Sequence, residues 1–134
     1  AGAFMRGARR YEQGTTTFAT RPALLAALAV HDGFASAEVR ARHALAAAAR
    51  LRERLAATAG VELLLPEAPA STLVGFRVAG CEPDAAVVAL AAAGVHVRAL
   101  AATRSLRATT HYLTSNDDID GLVSSVARLA ARGS

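Results

Sequence analysis

Apolar and polar positions along the chain follow two periods, and the changes of period mark its elements. From Arg21 to His31 (RPALLAALAVH), Pro22 stands in a first-turn position and Leu24, Leu25 and Leu28 recur at helical spacing. This predicts a helix broken at Asp32 and Gly33. A longer helix is expected from about Ser36 to Ala59, with Ser36 as N-cap and Gly60 as its stop. Val39, Leu45, Ala48 and Leu55 would form its buried stripe. The short apolar run Val61 to Leu65 ends at Pro66. After a turn marked by Pro69 and Ser71, Thr72 to Val78 (TLVGFRV) has strand composition with Arg77 facing out. Pro83 opens a helix through Ala93 that Gly94 closes. Val95 to Arg98 and Leu106 to Thr110 read as two more short strands. The last helix is capped by Ser115, and Asp117, Asp118 and Asp120 favour its positive end. Ile119, Leu122, Val123, Val126 and Leu129 make one apolar stripe along it.

After the first helix the order is helix, strand, strand, helix, strand, strand, helix. The turn joining the first two strands is too short for a parallel crossover. The expected fold class is therefore α+β, a small and mainly antiparallel sheet covered by helices on one face. A chain of 134 residues is long enough to bury one real core.

Charge narrows the functions. All fifteen basic residues are arginines, there is no lysine, and the net charge is +4. Arg40, Arg42, Arg50, Arg52 and Arg54 crowd the long helix, but the six aromatic residues are scattered and none lies within that run. Single-strand binding would want stacking platforms beside the cations. A solvated, arginine-biased helix face is the expectation, with no nucleic-acid partner. No apolar run is long enough to span a membrane. The single cysteine, Cys81, excludes an intrachain disulfide and a cysteine-rich metal site, which points to the cytoplasm. His31, His43, His96 and His111 lack ligand spacing, so no metal is expected. The first residues show no secretory pattern and no starting methionine, as though the chain were cut from something longer.

Two stretches carry more. One is Arg10-Tyr11-Glu12-Gln13-Gly14-Thr15. The other is Leu106-Arg107-Ala108-Thr109-Thr110-His111-Tyr112-Leu113-Thr114-Ser115, continuing into Asn116-Asp117-Asp118-Ile119-Asp120. Here the chain resembles the class V aminotransferases, a family of fold-type I pyridoxal-phosphate enzymes. The family includes cysteine desulfurases, isopenicillin-epimerase-like proteins and ergothioneine-pathway C–S lyases. The resemblance implies that residues 1–20 are the tail of a large domain absent from this chain, and that residues 21–134 are the C-terminal small domain. It implies that Gly14 and Thr15 touch the cofactor phosphate of the neighbouring subunit in a homodimer, where a glycine admits close backbone approach and a hydroxyl donates. It also implies that Arg107 grips the α-carboxylate of an amino-acid substrate with two parallel hydrogen bonds. Thr109 and Thr110 stand where the family commonly has Ser and Pro, and Thr114 where it has Asn.

The family's Schiff-base lysine, which holds pyridoxal phosphate, lies in the large domain, and this chain contains no lysine. On the resemblance the chain is thus catalytically incomplete alone, and the large domain is supplied either by a longer chain or by another subunit. The segment between Arg98 and Arg107 has no cysteine, whereas desulfurases carry a nucleophilic one in that loop. Aminotransferase, C–S lyase and epimerase chemistries stay open. The alternative is a stand-alone α+β module that binds amino acids or regulates without turning them over.

Overall fold

Strand β2 (Leu73–Val78) shows how the pattern folds: Val74, Phe76 and Val78 are buried, while Leu73, Gly75 and Arg77 point to the opposite side. The structure is a computed structural model that describes residues 7, 17–65, 67 and 70–133. It divides into two units, Ala1–Ala37 and Glu38–Ser134. The boundary expected at residue 20 falls inside the first unit, and Pro66 and Pro69 lie outside the described residues.

The first unit contains helix α1 (Thr20–Phe34), which runs through Asp32 and Gly33. The expected break there is corrected. A helical glycine costs only about 1 kcal/mol relative to alanine, and neither residue forces a turn. By itself α1 buries none of its residues.

The second unit has the order α2 (Ala37–Ala56), β1 (Val61–Leu63), β2, α3 (Pro83–Ala92), β3 (Arg98–Leu100), β4 (Ser105–Thr109) and α4 (Asn116–Gly133). A 3-10 turn, Ala101–Thr103, joins β3 to β4. The sheet order is β1-β2-β4-β3, and every pairing is antiparallel. This is the expected α+β class. Strand β3 begins three residues later than expected, because only Arg98–Leu100 pair with β4.

Leu106 and Ala108 of β4 join Val74, Phe76 and Val78 of β2 on one sheet face. Helices α2, α3 and α4 cover that face through Ala47, Ala48, Leu51, Leu55, Ala86, Leu90, Ile119, Val126 and Ala130. The stripe expected on α2 is half right. Ala48 and Leu55 are buried, but Val39 and Leu45 are exposed, and Ala44, Ala47 and Leu51 take their places. Alanines let α2 lie close to the sheet, where larger side chains would hold it off.

The arginines of α2 are not simply a solvated face. Arg52 is buried and donates to the Leu65 carbonyl at 2.8 Å. Arg50 bonds to Asn116 and Arg54 to Asp120, tying α2 to the first turn of α4. That turn carries its own clasp. The Asp118 carboxylate accepts from the backbone N–H and the hydroxyl of Ser115, both at 2.8 Å. The Asp118 N–H returns a bond to Ser115 Oγ at 3.1 Å, completing a capping box. The backbone bond from Ser115, then its hydroxyl bond, hold the Asp118 carboxyl below the usual carboxylate range.

Phe76 is fully buried at the centre of β2. Phe76→Ala should remove about 3–5 kcal/mol of stability, a large share of the ~5–15 kcal/mol of an ordinary domain, read as a lowered urea midpoint. The clasp at Asp118 predicts a pH dependence. A depressed carboxyl stabilises the fold above its unfolded value, and that stability is lost as pH falls through the folded value. The stability gap between wild type and Asp118→Asn should be fully open above about pH 5 and close as pH falls below about 3.9. A gap unchanged down to about pH 2 would contradict this.

Candidate functional site

The sheet face turned away from the helices is organised in cross-strand rows. One row pairs Glu62 of β1 with Arg77 of β2. Arg77 meets the Glu62 carboxylate at 3.4 Å and donates to the Thr103 carbonyl at 3.0 Å. The next row contains Gly75 of β2, Arg107 of β4 and Arg98 of β3. On its β1 side the Leu64 N–H bonds the Gly75 carbonyl at 3.0 Å. A Cβ on Gly75 would lie 2.7 Å from Leu64 Cδ1, so the missing side chain is what lets Leu64 fold over the sheet there. The opposite neighbour of that glycine is Arg107.

Arg107 is half-buried, and its Nε is fully buried with no hydrogen-bond acceptor among the described residues. Buried polar groups are nearly always paired, so an orphan N–H of a charged fork stands out. The strand that holds it is fixed at both ends. At the start, Arg104 takes a left-handed backbone (φ 47°) after the 3-10 turn, and the Ser105 hydroxyl lies 2.6 Å from that of Thr103. Beyond its end, the Thr110 hydroxyl donates to the Ala44 carbonyl of α2 at 2.8 Å, and the Thr110 N–H bonds Thr72 at 2.9 Å. Thr110 thus supplies two donors, its hydroxyl and its backbone N–H.

The rest of the second motif forms the turn into α4. The His111 N–H donates to Thr114 Oγ1 at 2.8 Å, and the Thr114 N–H to the His111 carbonyl at 3.0 Å. The rings of His111 and Tyr112 lie with their centroids 4.0 Å apart and tilted by 40°, with the Arg40 guanidinium 6.0 Å from the Tyr112 ring. Gly14 and Thr15 lie outside the described residues. A groove of about 390 Å³ includes Thr109, Thr110, Thr114 and Asp118 in its lining, with Gly94 and His96 opposite. Arg107 is not part of that lining; its setting is the open sheet face. Among the described residues no cluster of His, Cys, Asp and Glu could hold a metal ion, and no helix is long and apolar enough to cross a membrane.

The sequence names Arg107 as a candidate but does not place Arg98 beside it, as the register does. The signal available was the spacing of two short strands either side of a tight turn, and the strand beginning at Arg98 was read as ending there.

Comparison with known proteins gives one family and several solved structures. The family model described as aminotransferase class-V matches residues 3–122. A structure of a lysine-to-alanine mutant of C-DES, with glycine covalently linked to the PLP cofactor, is 30% identical over 90% of this chain and 32% of that one, with a TM-score of 0.84. The cystine C–S lyase C-DES in complex with its product cysteine persulfide is 29% identical, covering 92% of this chain and 32% of that one, again with a TM-score of 0.84. A NifS-like protein from Rickettsia africae is 9% identical over 69% of this chain and 29% of that one, with a TM-score of 0.61, a likeness of fold alone. The chain spans about a third of the length of these structures. None of the curated proteins matches it.

The Arg107 Nε has no partner to lose among the described residues, and exchanging buried charge for an apolar group of similar volume is often neutral or stabilising. Arg107→Met should therefore leave the urea midpoint unchanged or raise it. A loss beyond about 1 kcal/mol would show that the guanidinium serves the fold.

Proposed function

Because the chain belongs to the class V aminotransferase family, we propose that it is the C-terminal small domain of a pyridoxal-phosphate enzyme acting on an amino acid, with residues 1–20 ending the large domain. The observation that carries this reading is the orphan Nε–H of Arg107 on an open sheet face. A carboxylate is the acceptor that suits it. The guanidinium fork offers two parallel donors to the two oxygens of one planar anion, which fixes the orientation of the substrate as well as its position.

Pyridoxal phosphate, when bound, supplies the electron sink that stabilises negative charge on the substrate. The residues present fit the carboxylate end of such a site. They do not include a lysine, so covalent attachment of the cofactor comes from outside these 134 residues, and the chain is inactive alone. Gly14 and Thr15 would add donors for the cofactor phosphate across a homodimer, in a cytoplasmic enzyme.

Within the family we favour the amino-acid C–S lyase type. The two C-DES structures, one described as a cystine C–S lyase, match at 29–30% identity over nine-tenths of this chain. The β3–β4 connection is a single 3-10 turn without a cysteine, and Cys81 stands between β2 and α3. No thiol of this chain is therefore available in that loop to accept sulfur, which argues against desulfurase chemistry.

The test is a titration of the full-length, cofactor-loaded enzyme, followed by the absorbance of the cofactor, with an amino acid and with its decarboxylated amine. Arg107→Ala should weaken the amino acid by roughly 10- to 150-fold, the loss expected for one charge-assisted contact, and leave the amine and cofactor loading unchanged. Arg107→Lys should recover part of the loss, since an ammonium keeps the charge without the fork. Equal weakening of both ligands would overturn the assignment.

A further inference from the structure

We propose that Arg77 is a positioning residue for the Arg107 guanidinium: its fork ties the tight β3–β4 turn to strand β2 and so fixes where β4 begins. The inference rests on the reading of Arg107 given above, because Arg77 acts through that residue.

The corner between β3 and β4 is short and needs holding. Leu100 ends β3 opposite Ser105, and only the 3-10 turn Ala101–Thr103 and Arg104 lie between them. The Arg104 N–H closes the turn on the Ala101 carbonyl at 3.2 Å, and Arg104 itself takes the left-handed backbone. A residue with a Cβ is disfavoured there, and such a conformation persists only where its surroundings hold it. The Arg104–Glu82 ion pair is exposed at both ends, and exposed pairs hold little. The carbonyl of Thr103, the last of the turn, has no partner within it, as the last carbonyls of a helix do not.

Arg77 meets both needs. Its Nε–H and Nη2–H converge on the Thr103 carbonyl, at 3.3 and 3.0 Å, while Nη1 faces the Glu62 carboxylate at 3.4 Å. These donors come from the strand that also pairs with β4. The β2–β4 ladder ends at Phe76 and Leu106, and Arg77 is the next residue of β2. The fork therefore carries the tie past the last ladder pair and onto the turn. Thr103, so held, meets the Ser105 hydroxyl at 2.6 Å, and Ser105 is fully buried. Two residues further along β4 stands Arg107. With its donors spent on Thr103 and Glu62, Arg77 serves the placement of that arginine rather than a ligand. Two parallel hydrogen bonds to a carboxylate need an aligned fork, so a loosened turn costs carboxylate recognition first. The tie lies on the open face, away from the core, so its loss opens the turn locally without unfolding the domain.

The experiment uses the full-length, cofactor-loaded enzyme. Hydrogen exchange follows the Arg104 amide. Cofactor absorbance follows the binding of glycine and of methylamine, which lacks only the carboxylate. Arg77→Met should speed exchange at Arg104 by roughly 3- to 10-fold, the loss of one ordinary hydrogen bond, and weaken glycine by a similar factor. Methylamine binding, cofactor loading and the urea midpoint should stay as in wild type. Arg77→Lys, which keeps a charged donor without the fork, should recover part of both losses. In an Arg107→Ala background, Arg77→Met should weaken glycine no further, since nothing is left to position. Unchanged exchange at Arg104, unchanged glycine binding, or equal weakening of glycine and methylamine in Arg77→Met overturns this inference alone, provided Arg107→Ala is selective for glycine. Equal weakening of both ligands by Arg107→Ala overturns the reading of Arg107 and this inference with it.

Discussion

Val74, Phe76 and Val78 on β2 and Leu106 and Ala108 on β4 can share one buried face only while the two strands keep a single register, Gly75 opposite Arg107. Side chains alternate with a period of two, so a slip of one residue would drive the Arg107 guanidinium into the helices and expose Phe76. The apolar core and the cationic row are thus two faces of one constraint. Burial on the helix side is large and non-directional, and it dictates which side chains are left on the other. The open face needs no stabilising role of its own, which is why it can carry charges that the fold leaves unmatched.

What could be read beforehand follows the same division. Strands β2 and β4 and helices α3 and α4 were legible because burial on one side writes a clean period into each, and because Pro83, Gly94 and Ser115 mark ends by backbone chemistry. The contact face of α2 was not. It is lined by Ala44, Ala47 and Ala48, and in a helix so rich in alanine the pattern does not separate core positions from surface ones. The start of β3 was missed because Val95 and Val97 alternate like a strand, while pairing depends on where the 3-10 turn lets the chain come back, a tertiary matter. The extension of α1 through Gly33 shows the reverse error, in which a residue that merely permits a break was taken to require one.

The candidate site was legible only in part. Arg107 was reached through a likeness of motif, and its orphaned, half-buried state is a property of three dimensions that no spacing announces. Gly14 and Thr15 remain the expectation of that likeness. Arg98 illustrates the general difficulty: nothing in a Val-His-Val-Arg segment marks its arginine, and its place opposite Arg107 arises only from the strand laid beside it. The arginines of α2 erred the other way. Their density suggested a solvated face, yet Arg52 is buried and Arg50 and Arg54 reach α4.

The anchoring of β4 has a consequence for recognition. Its start is held by the left-handed residue Arg104 after the 3-10 turn, and just beyond its end the Thr110 hydroxyl is bonded to α2. Arg107 therefore projects from a segment restrained on both sides, and its Cα position is settled before any ligand arrives. On the proposed reading, binding has only side-chain torsions to immobilise, which costs about 0.5–1.5 kcal/mol, and the ordering of a flexible loop is avoided. Arg98, on the edge strand, lies next to that fixed point but has one open flank. The two arginines thus differ in backbone restraint as well as place: the inner one stands on a strand paired on both sides, and the outer one on a strand with a free edge.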